Sequence, residues 1–215
     1  MTTKAWLDFV YYKLGRQQTN YRLCSTYTVG DEVRFSRHLN YLDVQAEPDL
    51  EFANQREQLS NEIVFDLDDS TPEEYQKLIA TLKADKMKFY AYSTSEGRAR
   101  HIHTFWDQGF SRLDKNEKWR FRSALLNQYK CDPAYSTGSG KLVPIEFAPH
   151  WKSSHSSPEM VKTGKIKELI ASNPGVNSYS KWKKLASEWW EDQQSVKEII
   201  AAMMGDRLKE EKHDV

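Results

Sequence analysis

Asn61-Glu62-Ile63-Val64-Phe65-Asp66-Leu67-Asp68-Asp69 is an apolar run that ends in carboxylates two residues apart. Side chains on a strand alternate between two faces, so Asp66 and Asp68 leave the same face at the mouth of a sheet while Leu67 points into the core. Two carboxylates held in that way suit a cation. The competing reading is that acidic residues only mark where a buried strand meets solvent. Directly downstream stands a complete helix start: Thr71 at the N-cap, Pro72 at the first helical position, Glu74 three residues past the cap, then Tyr75, Leu78, Ile79 and Leu82 on one face. Met87 to Tyr92 reads as the next strand. Strand, helix and strand make a crossover unit, which places both strands in one sheet.

Toward the N-terminus, residues 4–14 put Trp6, Phe9, Val10 and Leu14 at helical spacing, with Gly15 as a stop. Tyr21 to Val33 alternates as strands do around a turn at Gly30-Asp31, and Arg34, Arg37 and His38 crowd basic groups after it. Residues 43–60 are polar, contain Pro48, and read as a long connection. Toward the C-terminus, residues 93–100 form a polar turn and His101 to Trp106 returns as a strand, giving a hairpin with a basic tip. Residues 114–130 carry Trp119, Phe121, Leu125, Leu126 and Tyr129 at helical spacing. Residues 132–140 read as a loop, and 141–147 as a strand running into 148–152. From Glu159 the pattern predicts helix: Val161 to Ala171, a break at Asn173-Pro174-Gly175, then Tyr179 to Glu191 and Ser195 to Leu208.

The composition narrows the function classes. Lys plus Arg and Asp plus Glu are both 31, so no global field draws in nucleic acid and any such binding needs a local basic patch. Cys24 and Cys131 are too few for a disulfide framework or a four-thiolate zinc site, which points to a reducing compartment and no zinc. No apolar run reaches membrane-spanning length and no signal-peptide pattern opens the chain, so an intracellular, cytoplasmic location and no membrane partner are expected. Seven Trp within a 13% aromatic content favour a packed core over disorder.

Ser136-Thr137-Gly138-Ser139-Gly140-Lys141 imitates a phosphate loop, but Tyr135 and Leu142 occupy positions where a Walker A needs glycine and a hydroxyl. That excludes the P-loop reading. His101-Ile102-His103 puts two imidazoles on one strand face and resembles the metal-binding pair of rolling-circle replication initiators; a structural pair of strand histidines is the plainer reading. Ser95, Gly97, Arg98 and Arg100 lead into His101, and hydroxyl, guanidinium and imidazole groups converging there make a site for phosphate oxygens.

Phe65-Asp66-Leu67-Asp68 after a strand, then Ser95-x-x-Arg98-x-x-His101, resembles the first two motifs of the archaeo-eukaryotic primase superfamily, in particular the catalytic small subunit of DNA primase. Asp132 followed eighteen residues later by His150, in His150-Trp151-Lys152, is similar to its third motif. The resemblance covers roughly residues 60–153. It implies an α/β (α+β) primase-type core with a mixed β-sheet flanked by helices, expected as a catalytic domain over 1–157, and the helical spacing after Glu159 adds a small helical C-terminal module over 158–215. It implies that Asp66, Asp68 and Asp132 ligate two divalent cations, Mg²⁺ or Mn²⁺, with Glu146 as rival third ligand because Pro144-Ile145-Glu146 also ends an apolar strand. Ser95, Arg98, His101, His150 and Lys152 would bind the nucleoside triphosphate, and Arg100 would make up for an arginine that the family has where Gly97 stands here. Glu96 adds a negative charge, and the family's zinc-binding insertion is absent.

The activity implied is DNA-templated nucleotidyl transfer, as a primase or primase-polymerase making primers in replication, on a single-stranded DNA template and beside a primase large subunit or a replicative helicase. Two alternatives stay open. One is a metal-dependent nicking initiator using His101, His103 and a tyrosine such as Tyr129; the other is a non-catalytic primase-like subunit. In the tail, Trp182, Trp189 and Trp190 with Lys181, Lys183 and Lys184 offer stacking and charge for single strands. Their helical periodicity favours tryptophans packed on protein, with the lysines as the solvated face.

Overall fold

The computed structural model describes residues 3–15, 22–29, 32–40, 55–67, 70–94, 100–138, 140–147, 149–154 and 157–210. In chain order these form α1 (Thr3–Phe9) with a π-helical extension (Val10–Leu14), β1 (Arg22–Val29), β2 (Glu32–Asn40), β3 (Gln55–Glu57), β4 (Glu62–Asp66), α2 (Pro72–Ala84), β5 (Phe89–Thr94) and β6 (Arg100–Phe105). There follow α3 (Gln108–Ser111), α4 (Lys115–Gln128), a 3₁₀ turn (Pro133–Tyr135), β7 (Leu142–Pro144), β8 (Pro149–Ser154), β9 (Ser157–Asn173) and α5 (Tyr179–Glu210).

The main sheet runs β4-β6-β5-β9-β8, and a second sheet runs β2-β1-β3-β7. The crossover strands β4 and β5 do share a sheet, with β6 inserted between them and antiparallel to both. The sheet expected to be mixed thus has only antiparallel pairings between its strands. β4 and β5 remain parallel to each other, one strand apart.

Strand alternation sorts the core into two layers. Ile63, Phe65, Phe89, Ala91 and Ile102 face α2 and α4 and join Tyr75, Leu78, Ile79, Leu82, Phe121 and Leu125 in one cluster. Tyr90, Tyr92 and Phe105 face the other way and pack with Trp6, Leu7, Val10 and Leu14 of the N-terminal helix. α2 starts as its sequence dictates: Thr71 accepts from the Glu74 N–H and Glu74 accepts from the Thr71 N–H. A cap contributes about 1 kcal/mol, whereas each buried side chain of Tyr75, Leu78, Ile79 and Leu82 contributes roughly 1.5–3 kcal/mol, so packing rather than capping holds the helix.

Neither α2 nor α4 is followed by glycine, yet both close in the left-handed manner. Lys86 (φ 59°) and Lys130 (φ 55°) take the position that glycine usually fills, with Met87 N–H bonded to Leu82 O and Cys131 N–H to Leu126 O. Gly138 is a genuine glycine requirement. Its φ is +73° and a Cβ there would lie 2.2 Å from Nη1 of the buried Arg122.

Three segments differ from the sequence reading. Residues 161–171, expected to be helical, belong to β9, which pairs with β5 on one side and β8 on the other. Val161, Ile166, Leu169 and Ile170 fit either period, and strand pairing decides the matter: β8 pairs with β9 as far as Ile166 and β5 pairs with it from Lys167 onward. The long connection contains β3, three polar residues whose strand conformation comes from pairing with β1 and β7 rather than from any pattern of their own. The two C-terminal helices are one, α5. Asp107 starts it and α3 together, accepting from the N–H groups of Phe110 and Tyr179.

Tyr179, Trp182, Leu185 and Ala186 pack on the helix-side cluster, and Trp189 and Trp190 meet Trp119 of α4 at ring separations of 6.3 and 5.9 Å. The tryptophans therefore pack on the protein, as their periodicity predicts. Lys181, Lys183 and Lys184 are exposed. No helix among the described residues is long and apolar enough to cross a membrane.

Candidate active site

β4 and β6 pair with Phe65 opposite Ile102 and Asp66 opposite His101. Because Phe65 and Ile102 point to the helices, Asp66 and His101 share the other face, at the end of the pair. His101 Nε2 lies 3.8 Å from Asp66 Oδ1, beyond direct hydrogen-bond reach. His101 is 3% exposed and Asp66 22%, so the carboxylate stands at the mouth and the imidazole just beneath it. Asp132 caps the 3₁₀ turn, its Oδ1 accepting from the Ala134 N–H, and Tyr135 of that turn meets the His101 ring edge-on at 6.2 Å. Asp66 and Asp132 line one cavity of about 640 Å³, whose wall also includes Ser70, Lys77, Gln128 and Lys130.

Behind this mouth lies a buried chain of charge that the sequence reading did not find. Arg56, on β3 of the second sheet, is fully buried and reaches into the main sheet. It donates two bonds to Glu62 (2.7 and 2.8 Å) and two to Glu146 (2.8 and 3.0 Å). His103 Nδ1 lies 2.6 Å from Glu62 Oε1, so Nδ1 carries the proton and donates. His103 Nε2 is then an acceptor, and the buried Lys167 ammonium on β9 donates to it at 3.0 Å and to His101 Nδ1 at 3.1 Å. The series runs from Arg56 through Glu62, His103, Lys167 and His101 to the mouth at Asp66.

Opposed effects set the protonation of these groups. Burial would raise both carboxyls, but Arg56 outweighs it, aided at Glu146 by Lys167 and at both by His103. Glu62 is held far below the usual carboxylate range and Glu146 falls to about 2. Burial, then the Lys167 charge, push His103 down to about 4 against the pull of Glu62 and Glu146.

The sign of the pH dependence follows. Between pH 6.5 and about 4 the unfolded chain takes up a proton at this histidine that the folded chain refuses, and below 4.5 the carboxylates add the same penalty. Stability is therefore expected to fall on acidification from pH 7 to pH 4, by on the order of 2–3 kcal/mol from His103. Urea midpoints across this range check it, and a flat profile contradicts it.

The positions named from sequence divide into three groups. Asp66 lies across the strand pair from His101 and shares a cavity wall with Asp132. Arg100, also buried, alternates to the opposite face from His101 and donates to the Ser70 carbonyl, fixing the chain that leaves β4. Glu146 is fully buried among Arg56, His103 and Lys167. His150 and Lys152 lie on β8, at the far edge of the sheet from β4. Asp68, Ser95 and Arg98 fall outside the described residues. The histidine pair does share a face, as its spacing predicts, with ring centroids 6.1 Å apart. Yet both nitrogens of His103 are engaged, by Glu62 and Lys167, and Tyr129 stands on the helix side donating to Asp85 at 2.8 Å.

Among the described residues no three His, Cys, Asp or Glu side chains gather as a metal site. The donor chemistry at the mouth nevertheless fits hard divalent cations: carboxylates at Asp66 and Asp132 on one cavity, with Asp68 two positions along the chain from Asp66.

Arg56 and Lys167 were missed for different reasons. Arg56 sits in a polar stretch with no signal at all. Lys167 stands in Lys165-Ile166-Lys167-Glu168-Leu169, where a charge at an inward strand position would have been the clue had the segment been read as strand.

No protein-family model matches the sequence, nor does any curated protein. Solved structures do resemble it. The AEP domain of the primase-polymerase of cyanophage S-2L superposes with a TM-score of 0.55 at 12% identity, over 83% of this chain and 95% of that one. The primase RepB′ superposes with a TM-score of 0.52 at 12% identity, over 93% of this chain and 68% of that one. Two sheets flanked by helices thus give this chain the fold of a primase-polymerase domain and a primase, as the resemblance led one to expect.

Proposed function

We propose that this chain is a template-directed nucleotidyltransferase of the primase or primase-polymerase kind, making primers on single-stranded DNA. The observation that carries the reading is Asp66 opposite His101 at the end of adjacent strands, with Asp132 on the same cavity, in a fold shared with a primase-polymerase domain and a primase.

Asp66, Asp68 and Asp132 would hold two Mg²⁺ or Mn²⁺ ions. When bound, such ions acidify a primer 3′-hydroxyl and stabilise the departing pyrophosphate oxygen. The chain's own groups do the rest. His101, with Ser95 and Arg98, would hold the triphosphate and offset the charge that develops on it during in-line attack. Arg100 contributes by bracing the loop after Asp66 through Ser70.

The nicking alternative fits the geometry less well, since both ring nitrogens of His103 are engaged by Glu62 and Lys167, and the Tyr129 hydroxyl, on the wall of the cavity that Asp66 and Asp132 line, is held by Asp85. The test is incorporation of labelled nucleotides on a primed and an unprimed single-stranded template with manganese or magnesium. Extension with no protein-bound DNA is the expected result. A covalent DNA adduct that is lost in His103→Ala, without extension, overturns it in favour of nicking; neither activity favours a non-catalytic subunit.

A further inference from the structure

The side chain least expected at this site is Lys167. It is fully buried on β9, a strand that the motifs do not touch, and its ammonium lies between two imidazoles. Burying a cation is costly unless every proton finds an acceptor and a counter-charge is close. Here the acceptors are His103 Nε2 at 3.0 Å, His101 Nδ1 at 3.1 Å and the Pro144 carbonyl at 3.4 Å, matching the three protons of an ammonium. Glu146 Oε1 supplies charge at 3.9 Å, and the Tyr92 ring face lies 5.1 Å away.

The backbone of the residue is pinned as well. Phe147 donates its N–H to the Lys167 carbonyl at 2.9 Å, from a backbone at φ +59° that a bulky side chain rarely adopts. That hydrogen bond ties the residue after Glu146 to the backbone of Lys167. An apolar side chain would fill the same volume without the desolvation cost, so the cation itself is the feature to explain.

We propose that Lys167 is a positioning residue that fixes the tautomer of His101, holding Nδ1 as acceptor so that the proton sits on Nε2 and faces Asp66 and the bound triphosphate. The chain of donors and acceptors has one consistent direction. Glu62 takes the Nδ1 proton of His103, His103 offers Nε2 to Lys167, and Lys167 occupies His101 Nδ1. Only the Nε2–H form of His101 remains, and that is the form that can donate to a phosphate oxygen at the mouth without carrying a charge of its own.

This inference rests on the nucleotidyl-transfer reading for its purpose but not for its geometry, and the test separates the two. The full chain is labelled with ¹⁵N-histidine, its ring signals are assigned by comparison with His101→Gln and His103→Gln, and the ring nitrogen shifts are read at neutral pH. In the natural chain His101 should show a protonated Nε2 and a bare Nδ1, and His103 the reverse. In Lys167→Met, which keeps the length and loses the donors, the His101 shifts should move toward an average of the two tautomers. Its kcat/KM for nucleotide should fall about ten- to hundredfold, as for other groups that orient a primary ligand.

A natural chain with His101 protonated on Nδ1, or a folded Lys167→Met with unchanged His101 shifts, overturns the proposal. Should Lys167→Met not fold, the shifts of the natural chain decide alone. Correct tautomers in a chain that incorporates no nucleotide would remove the nucleotidyl-transfer reading and leave the positioning geometry standing.

Discussion

Asp66→Asn is expected to lower nucleotide incorporation at least about a hundredfold while moving the unfolding midpoint little. Losing a group that merely orients a metal ligand costs about 10- to 100-fold, so losing a ligand itself should cost no less. The carboxylate stands at the mouth, 22% exposed, and forms none of the close hydrogen bonds of the Arg56 network, so an isosteric amide leaves the buried pairs intact. Substitutions away from such features usually change stability within about 0.5 kcal/mol. Primer extension and urea unfolding of the same preparation check both halves. Activity retained within a few-fold would remove Asp66 from the metal site; a large loss of stability would show that the carboxylate is structural.

Arg56→Met should produce the reverse pattern, a destabilisation of about 3–5 kcal/mol, because two fully buried carboxylates then lose the cation that pairs with them. The cost comes from leaving Glu62 and Glu146 charged in the interior, and the substitution itself is conservative in volume. A triple variant, Arg56→Met with Glu62→Gln and Glu146→Gln, should recover a large part of the loss, since a buried ionic cluster replaced as a unit is often close to neutral. Urea unfolding of natural, single and triple chains measures this. A single variant within 1 kcal/mol of the natural chain would mean that the pairing contributes little. Activity should not return with stability in the triple variant, because Glu62 no longer holds His103 as a carboxylate would.

These predictions rest on features of unequal visibility in the sequence. The capping box at Thr71, the strand ending in Asp66, the hairpin leading to His101 and the aromatic face of α5 were all legible, because each is a local pattern read within a few residues. Asp66 and His101 could be named from their motifs, and Asp132 with them. The strand character of residues 161–171 was not legible, because their apolar spacing fits two periods and the pairing partners are β5, some seventy residues earlier, and β8.

Arg56 is the extreme case. Its partners Glu62 and Glu146 are 6 and 90 residues away, and nothing in its surroundings marks it as buried. The sequence by itself therefore determined that Asp66 ends β4 on the same face as the first histidine of β6, since alternation and capping are properties of contiguous residues. Only the tertiary structure decided what lies behind them: β3, β6 and β9 bring Arg56, His103 and Lys167 into one buried chain. The Coulomb and desolvation energies that select such a chain act through space, at distances that no local pattern records.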